Sequence, residues 1–485
     1  MVSARQGAAI EAGQGAAIGA KQVTIIGAGL AGAEAAYQLA ERGIGVRLIE
    51  MRPHLTTPAH TTAGFGELVC SNSFKSEEPA SAAGLLKHEL TVLGSLVLHV
   101  ARENRVAAGA ALAVDRGSFA CDLTGRISRH PNITVERREA TSLPTAPAII
   151  TTGPLTSPGF EPVLSELVGA ERLAFYDASA PIVDAATVDR SVVFEASRYG
   201  KGDGADYLNA PMDRGQYERF WRELVAANRV TLRDFERREL FSACQPVEEI
   251  ARTGIDALRF GALKPVGIQQ PGASGMPWAV VQLRAENAEK TAYNLVGLQT
   301  NLTFSEQQRV FRLVPGLENA DFFRFGVMHR NTFVDAPRLL DATLGLKDHP
   351  GIRLAGQLIG TEGYMEAAAA GLVAALNTYA DTIRAEPVVL PETTVLGALL
   401  GYVANTARGA CSEGACSRGV YPRGAYQPMH VNFGIIPPLE DRVKGKRARY
   451  AAYAERACAD LRAWVDSRAD LWPQSCAAMA GGTGD

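Results

Sequence analysis

The sequence has no apolar run long enough to cross a membrane, because charges interrupt its longest hydrophobic stretches well before the roughly 18 residues that a spanning helix needs. Residues 1–20 lack a basic start leading into an apolar core, so we expect a disordered N-terminal extension and no signal peptide. Cysteine is also sparse. Seven cysteines scattered over 485 residues do not resemble a disulfide framework, which favours reduced thiols in a cytoplasmic protein.

The sequence also lacks a strong excess of either charge. A formal net charge of −3 gives no global indication of a nucleic-acid partner, so any RNA binding requires a local patch. Cys411 and Cys416 form a C-x4-C pair with no second pair beside it, and we predict no metal site. The length of 485 residues indicates two or more domains.

The most informative local pattern is a glycine turn between an apolar strand and a helix. A β-branched run ends directly in Gly27-Ala28-Gly29-Leu30-Ala31-Gly32, a helical stretch follows, and a second apolar run ends at Glu50. Strand, GxGxxG, helix, strand and acid are the fingerprint of a dinucleotide-binding unit. The glycines permit the tight turn, the approach of backbone amides to a pyrophosphate, and close packing of helix on sheet; the acid is placed to bind a ribose.

A second glycine-rich turn lies far along the chain. The apolar run at 352–355 leads into Gly356, Gly360 and Gly363, followed by an Ala-rich helix whose N-terminus could face the flavin end of a dinucleotide. Between the two units, residues 196–317 contain aromatic and arginine clusters and short alternating strands. We therefore predict an α/β fold: a Rossmann-like, discontinuous FAD-binding domain at 21–195 and 318–460, an inserted α+β domain at 196–317, and a C-terminal tail at 461–485.

Several longer motifs resemble one enzyme family, the methylenetetrahydrofolate–tRNA (uracil-5-)-methyltransferases, or TrmFO. They run in order from about residue 22 to about residue 440. The motifs are Glu50-Met51-Arg52-Pro53, Pro58-Ala59-His60-Thr61, Glu67-Leu68-Val69-Cys70-Ser71-Asn72-Ser73, Gly109 to Arg116, Arg324 to Phe333, and Gly356-Gln357 with Glu362-Gly363-Tyr364. The extension at 1–20, the loop at 407–426 and His430, where the family usually has Asn, depart from the pattern.

The resemblance implies C5-methylation of uridine 54 in the T-loop of tRNA. It implies 5,10-methylenetetrahydrofolate as the carbon donor, FAD as the cofactor that carries this carbon, and NAD(P)H as the reductant. The basic residues at 442–449 are a candidate surface for tRNA phosphate, although such runs are often only solvated charge. The oligomeric state stays open.

Two cysteines are candidates for the chemistry on uracil. Carbon C5 is a poor nucleophile until a thiolate adds at C6, and cysteine is the most nucleophilic side chain near neutral pH. Cys70 and Cys244 both match the family's functional cysteines. We assign Cys70 the role nearer the carbon held by the flavin and Cys244 the nucleophilic or acid–base role on uracil, a division that could be reversed. Lys75, close to Cys70 in sequence, is a candidate for stabilising a thiolate.

Three alternative functions remain open at this stage. A wobble-uridine-modifying flavoprotein shares the Rossmann start, but such enzymes are typically much longer. A small-molecule NAD(P)H–flavin oxidoreductase would explain both glycine units and leave the cysteine motifs unexplained. A nucleic-acid-binding protein with a purely structural FAD would form no product that depends on flavin reduction.

Overall fold

The computed structural model describes residues 22–57, 59–169, 173–230, 245–272, 275–404 and 426–472. The predicted extension at 1–20, Cys244, Cys411, Cys416 and the chain from 473 onward lie outside these ranges. Among the helices in the described ranges, none combines the length and apolarity that crossing a membrane requires.

The described part of the chain contains both strands and helices throughout, apart from the purely helical stretch after the last strand. In chain order the strands are β1 Gln22–Ile26, β2 Gly45–Glu50, β3 Ser73–Ser76, β4 Arg105–Val106, β5 Ala111–Val114, β6 Ile133–Arg137, β7 Ala148–Ile150, β8 Leu173–Ala178, β9 Ile182–Asp184, β10 Phe194–Glu195, β11 Tyr207–Met212, β12 Ala279–Ala285, β13 Ala292–Val296, β14 Phe322–Arg324, β15 Met328–Phe333 and β16 Ile352–Leu354. The α-helices are α1 Leu30–Glu41, α2 Ala82–Val92, α3 Leu96–Glu103, α4 Arg116–Arg129, α5 Glu161–Val168, α6 Arg214–Ala226, α7 Val247–Arg252, α8 Ala257–Phe260, α9 Phe304–Phe311, α10 Ala336–Leu339, α11 Tyr364–Ile383, α12 Val395–Val403 and α13 Lys446–Ser467.

A five-stranded parallel sheet in the order β16–β7–β1–β2–β6 forms the centre of the larger unit. β7 and β16 are buried along their whole length, as expected for parallel strands covered by helices on both faces. β16 comes from the second half of the chain and pairs with β7 from the first half. The predicted discontinuous α/β domain is therefore confirmed.

The helices α1 and α11 bring the two halves of the chain into backbone contact. Both are rich in Ala and Gly on the buried side. A Cβ on Gly371 of α11 would lie 2.1 Å from the carbonyl oxygen of Ala31 in α1, so only glycine fits there. This close approach fixes the position of α11 relative to the first glycine turn.

The inserted unit is built on a six-stranded antiparallel sheet. The chain enters along β8 and returns along β15, which pair with each other. The sheet order is β10–β11–β12–β13–β9–β14, and it has a hydrophobic core separate from that of the parallel sheet. An inserted α+β domain is thus confirmed. Its sheet runs from Ile182 to Arg324 and extends beyond the predicted 196–317 on both sides, because the short strands β9 and β14 pair at its edge.

The helix α13 covers α2 near the end of the described chain. Its residues Tyr453, Ala457 and Leu461 are buried. The helix continues without a break to Ser467, past the boundary predicted at 460 between the FAD-binding domain and the tail. The basic residues that precede and open it are exposed.

Replacing Gly371 with Ala should lower the free energy of unfolding by about 1–3 kcal/mol, the usual effect of overpacking a tight interior. The added methyl group would force α11 away from Ala31. Urea unfolding followed by tryptophan fluorescence measures the change. Gly117→Ala is the matched control, because its Cβ would only meet the Asp115 side chain at an ordinary 3.5 Å. Equal stability of Gly371→Ala and the unaltered protein would contradict the close approach.

Candidate active site

A cavity of about 490 Å³ opens at the carboxyl ends of the parallel strands. The ends of β1, β2 and β7 reach it, and both glycine turns line it. In open α/β sheets this edge is the usual place for a ligand, because loops and helix N-termini converge there. The cavity is therefore the candidate active site.

The three glycines of the first turn have different surroundings: one has a positive φ, one is tightly packed, and one borders open space. Gly27 has φ +95°, and a Cβ there would lie 2.6 Å from the carbonyl oxygen of Thr151. A Cβ on Gly32 would lie 1.8 Å from the carbonyl oxygen of Gly27. By contrast, a Cβ on Gly29 would meet nothing within 4 Å, although Gly29 lines the cavity. The space at Gly29 is free for a ligand.

Glu50 ties the end of β2 to this turn. Its Oε2 accepts a hydrogen bond from the Ala28 amide at 2.7 Å, and its Oε1 accepts from the Arg52 Nε at 2.7 Å. Burial raises the pKa of the Glu50 carboxyl, but Arg52 and these hydrogen bonds outweigh burial and hold the pKa below its ordinary value. The side chain is therefore an anion at the cavity wall, where it also orients the backbone of the turn.

The second glycine turn meets the first across Ala31. Gly356 has φ +78°, and a Cβ there would lie 2.8 Å from the Ala31 Cβ. Gly363, with φ +123°, is the N-cap of α11, so this helix begins at the cavity wall. Gly360 has a different role: it has φ +84°, and a Cβ there would lie 2.5 Å from the Tyr426 hydroxyl, so it makes room for that ring.

Cys70 lies in the cavity wall against the first residue of α11. Its Sγ is 3.1 Å from the Tyr364 hydroxyl. That hydroxyl oxygen accepts hydrogen bonds from the backbone amides of Cys70 at 3.1 Å and Ser71 at 3.2 Å. Because the two amides occupy the oxygen's lone pairs, its proton is left to point at the sulfur. Burial raises the pKa of Tyr364 well above its ordinary value, so the hydroxyl stays protonated and can donate to a thiolate.

The loop that carries Cys70 is held from the inserted domain. Asn72 is fully buried, and its Nδ2 donates to the carbonyl oxygens of Val114 at 2.9 Å and Ala285 at 3.0 Å. Arg284 donates from Nε to the Asn72 Oδ1 at 2.8 Å and from Nη2 to the Ser71 Oγ at 2.9 Å. Burial lowers the pKa of this guanidinium. The inserted sheet thus sets the position of the thiol.

Lys75 and His430 complete the wall on the side of α11. The Nζ of Lys75 donates to the Glu366 Oε1 at 2.9 Å, so its charge is directed to that carboxylate, in contrast to the partnership with Cys70 that the sequence indicates. Burial, followed by the charge of Lys75, lowers the pKa of His430, which lines the cavity beside them. At neutral pH this imidazole is therefore mainly uncharged.

The structure brings most of the predicted site residues to one cavity. Those that line it are Cys70, Gly27, Gly29, Leu30, Ala31, Glu50, Gly356 and Gly363. Three others, Ala28, Gly32 and Gly360, belong to the same turns without lining the cavity. Cys244 lies outside the described residues. In the part of the chain that is described, no group of three or more His, Cys, Asp or Glu side chains could hold a metal ion.

The comparison with known proteins now decides the family. A family model described as "Glucose inhibited division protein A" matches residues 22–385. The methylenetetrahydrofolate–tRNA-(uracil-5-)-methyltransferase TrmFO of Desulforudis audaxviator is 51% identical over 445 residues, which are 91% of this chain and 98% of that protein. The chain belongs to the TrmFO family. The TrmFO of Moorella thermoacetica is 50% identical over 440 residues, 90% of this chain and 96% of its own. The resemblance seen in the sequence motifs is confirmed.

A solved structure supports the fold of this family member independently. The form I crystal structure of Aquifex aeolicus GidA aligns with a TM-score of 0.65 and covers 95% of this chain and 77% of that chain. The sequence identity is only 16%, so the likeness shows the fold alone. It agrees with the parallel sheet and insertion described above.

Sequence reasoning missed the contacts that hold Cys70. The hydroxyl of Tyr364 is 294 positions away in sequence, and no local pattern indicates that it approaches the sulfur. Arg284 gave a usable signal, because a charged residue inside the apolar strand β12, buried on both faces, needs a polar partner. That partner is the Cys70 loop.

Replacing Asn72 with Ala should lower the free energy of unfolding by about 1–3 kcal/mol, because it leaves buried polar groups without partners. It should also loosen the Cys70 loop, so that iodoacetamide alkylates Cys70 faster. Mass spectrometry of the alkylated peptides measures both Cys70 and the exposed Cys121, which serves as the internal reference. An unchanged ratio of the two rates would show that Asn72 does not hold the thiol in place.

Proposed function

We propose that this protein methylates C5 of uridine 54 in the T-loop of tRNA in the cytoplasm. The carbon comes from 5,10-methylenetetrahydrofolate, the reductant is NAD(P)H, and FAD is the cofactor. The observation that carries the proposal is the Cys70 thiol, held by a tyrosine hydroxyl in a cavity that two glycine turns line. Relatives with about 50% sequence identity are named for this activity.

The residues around the cavity fit FAD. The open space above Gly29 suits a pyrophosphate beside the N-terminus of α1, where amides and the helix dipole favour an anion. Oε2 of Glu50 accepts a hydrogen bond from the Ala28 amide, and a carboxylate oxygen has a second lone pair that a ribose hydroxyl could use. The other residues that we propose to bind the cofactor are Gly27, Ala28, Leu30, Ala31, Gly32, Gly356 and Gly363, whereas Gly360 makes room for the ring of Tyr426. When bound, FAD supplies the redox chemistry between NAD(P)H and the one-carbon unit.

The protein's own contribution begins with Cys70. A donor aimed at its sulfur favours the thiolate, which is the reactive form. Arg284 and Asn72 hold the loop, so the sulfur does not have to be ordered during the reaction. Cys70 would act on the side nearer the transferred carbon, and Cys244 would add to uracil or move a proton on it.

The exposed basic residues before and at the start of α13 would contact tRNA phosphate. They are spaced over a loop and the first helical turn, and Lys446 and Arg449 lie over the ring of Tyr450. Because the net charge is −3, RNA binding requires a local basic patch, and these residues provide one. Its members are Arg442, Lys444, Lys446, Arg447 and Arg449.

Replacing Gly29 with Val should leave the protein folded and weaken FAD binding by at least about tenfold. The side chain would enter the open space at the turn without meeting the protein. The ratio of 450 nm to 280 nm absorbance and FAD titration measure the loss. Gly275→Val is the matched control. A Cβ on Gly275 would also meet nothing within 4 Å, and this exposed glycine lies in the inserted domain and does not line the cavity. Full FAD occupancy in Gly29→Val would place the cofactor elsewhere.

Replacing Cys70 with Ser should reduce methylation at least about a hundredfold while FAD stays bound, because a hydroxyl is a far weaker nucleophile and acid than a thiol. The assay measures 5-methyluridine after incubation of unmodified tRNA with FAD, NADPH and methylenetetrahydrofolate. Omission of the folate and Cys121→Ser are the controls. Activity of Cys70→Ser equal to that of Cys121→Ser would remove Cys70 from the chemistry, and no product from the unaltered protein would refute the proposed function.

A further inference from the structure

Three phenylalanine rings form a parallel stack at the outer edge of the inserted domain. Phe304 and Phe325 stack with ring centroids 4.8 Å apart and planes at 14°, and Phe325 and Phe322 stack at 5.3 Å and 16°. Phe304 opens α9 and is 55% exposed. Phe322 lies on β14, the edge strand of the antiparallel sheet, and packs against the core of that domain. The stack thus runs from the core to the solvent and ends at Phe304.

The stack leaves apolar ring surface of Phe304 in contact with water. Clustered exposed apolar surface marks an interaction site more often than scattered single residues do. The parallel arrangement matters, since a further flat ring can add to a stack whose last member has a face in solvent. Nucleobases are such rings, and aromatic platforms bind unpaired bases of any sequence through them.

The stack is connected to the proposed active site on one side. Arg324 lies between Phe323 and Phe325 in sequence, and its Nη2 donates to the carbonyl oxygen of Ala59 at 3.4 Å. Ala59 lines the cavity that contains Cys70. The strand that carries Phe322 is therefore hydrogen-bonded to the wall of the cavity.

The residues just before Phe304 pair with the two flanks of segment 231–244, which contains Cys244. The Val230 amide donates to the Asn301 carbonyl oxygen at 2.9 Å, just before that segment. The Val247 amide donates to the Gln299 carbonyl oxygen at 2.7 Å, just after it. Both anchors lie within five residues of Phe304. The chain that leads into Phe304 thus pairs with the described residues on either side of this segment.

We propose that Phe304, Phe325 and Phe322 form a stacking platform for an unpaired nucleobase of the RNA substrate. This inference rests on the proposed function, because it takes its partner class from it. The platform binds by ring stacking and supplies no charge. None of its three rings lines the cavity, which favours RNA over the flat ring of a folate bound inside.

Replacing Phe304 with Ala should weaken binding of an unmodified tRNA transcript by about 5- to 100-fold, the range that one lost stacking contact produces. Phe304→Leu should bind as weakly as Phe304→Ala, and Phe304→Trp as tightly as the unaltered holoenzyme. Fluorescence anisotropy at several salt concentrations measures Kd. The slope of log Kd against log salt should stay unchanged, because no phosphate contact is removed. Phe260→Ala, at a residue 74% exposed elsewhere in the same domain, is the matched control and should bind normally.

A second probe reports stacking directly. A T-arm hairpin RNA carries 2-aminopurine at one unpaired loop position at a time, and stacking on Phe304 should quench its fluorescence at one position. Phe304→Ala should lose that quenching. Binding by Phe304→Ala within about twofold of the unaltered holoenzyme, or full rescue by Leu, overturns the platform. A raised KM for methylenetetrahydrofolate with an unchanged Kd for tRNA would assign the rings to the folate. An unaltered protein that neither binds nor methylates tRNA would refute the proposed function itself, and the RNA partner with it.

Discussion

The contact at Ala31 is the constraint on which the rest of the structure depends. Two glycines from the second half of the chain, Gly356 and Gly371, approach this residue from different sides, one at its side chain and one at its backbone. Any larger residue at either glycine would push the halves apart. Because the contact is so close, α1 and α11 both begin at the wall of the same cavity. The positive ends of both helix dipoles therefore lie at this cavity. The discontinuous domain works as one unit for this reason.

The thiol of Cys70 is positioned by three parts of the chain that are distant in sequence. Tyr364 reaches it from the start of α11, Asn72 ties its loop to the strand β5, and Arg284 reaches it from the inserted sheet. The three contacts converge on residues 70–72, so the loop is held from three directions. The inserted domain therefore helps to build the candidate active site.

Patterns that are local in sequence predict the fold well and the site only in part. Gly27 to Gly32 and Glu50 are readable because turn, helix and strand follow within 30 residues, and steric rules fix each position. The pairing of Lys75 with Glu366, in place of Cys70, depends on where α11 lies, and no local pattern contains that information. Gly360 shows a similar limit. A glycine near a helix N-terminus indicates a ligand, whereas this one makes room for the ring of Tyr426.

The predicted boundaries at 196 and 317 show why short strands near a sheet edge are hard to predict from the sequence. β9 and β14 have three residues each, too few for alternation to be recognised, and they are defined only by their pairing with each other and with β13. Their pairing includes a bulge beside Phe323, which locally breaks the register. The same irregular edge carries the stacked rings, so a region that is hard to predict from the sequence is one that meets solvent.

The small net charge of the chain makes an uncharged contact surface, such as the stacked rings, more important for binding RNA. Phosphate contacts release counterions, so their contribution to RNA affinity falls steeply as salt rises, and a protein with a net charge of −3 has only a local patch to supply them. Stacking itself removes no phosphate charge, so it depends little on salt, and it tolerates every base because each base has a flat face. A protein that must bind one loop of a folded RNA with few cations gains most from contacts that require unpaired bases, since duplex regions cannot offer them. Selection of a loop over a stem can therefore arise from ring surfaces at the edge of the inserted sheet, with the basic residues near α13 contributing attraction without selectivity.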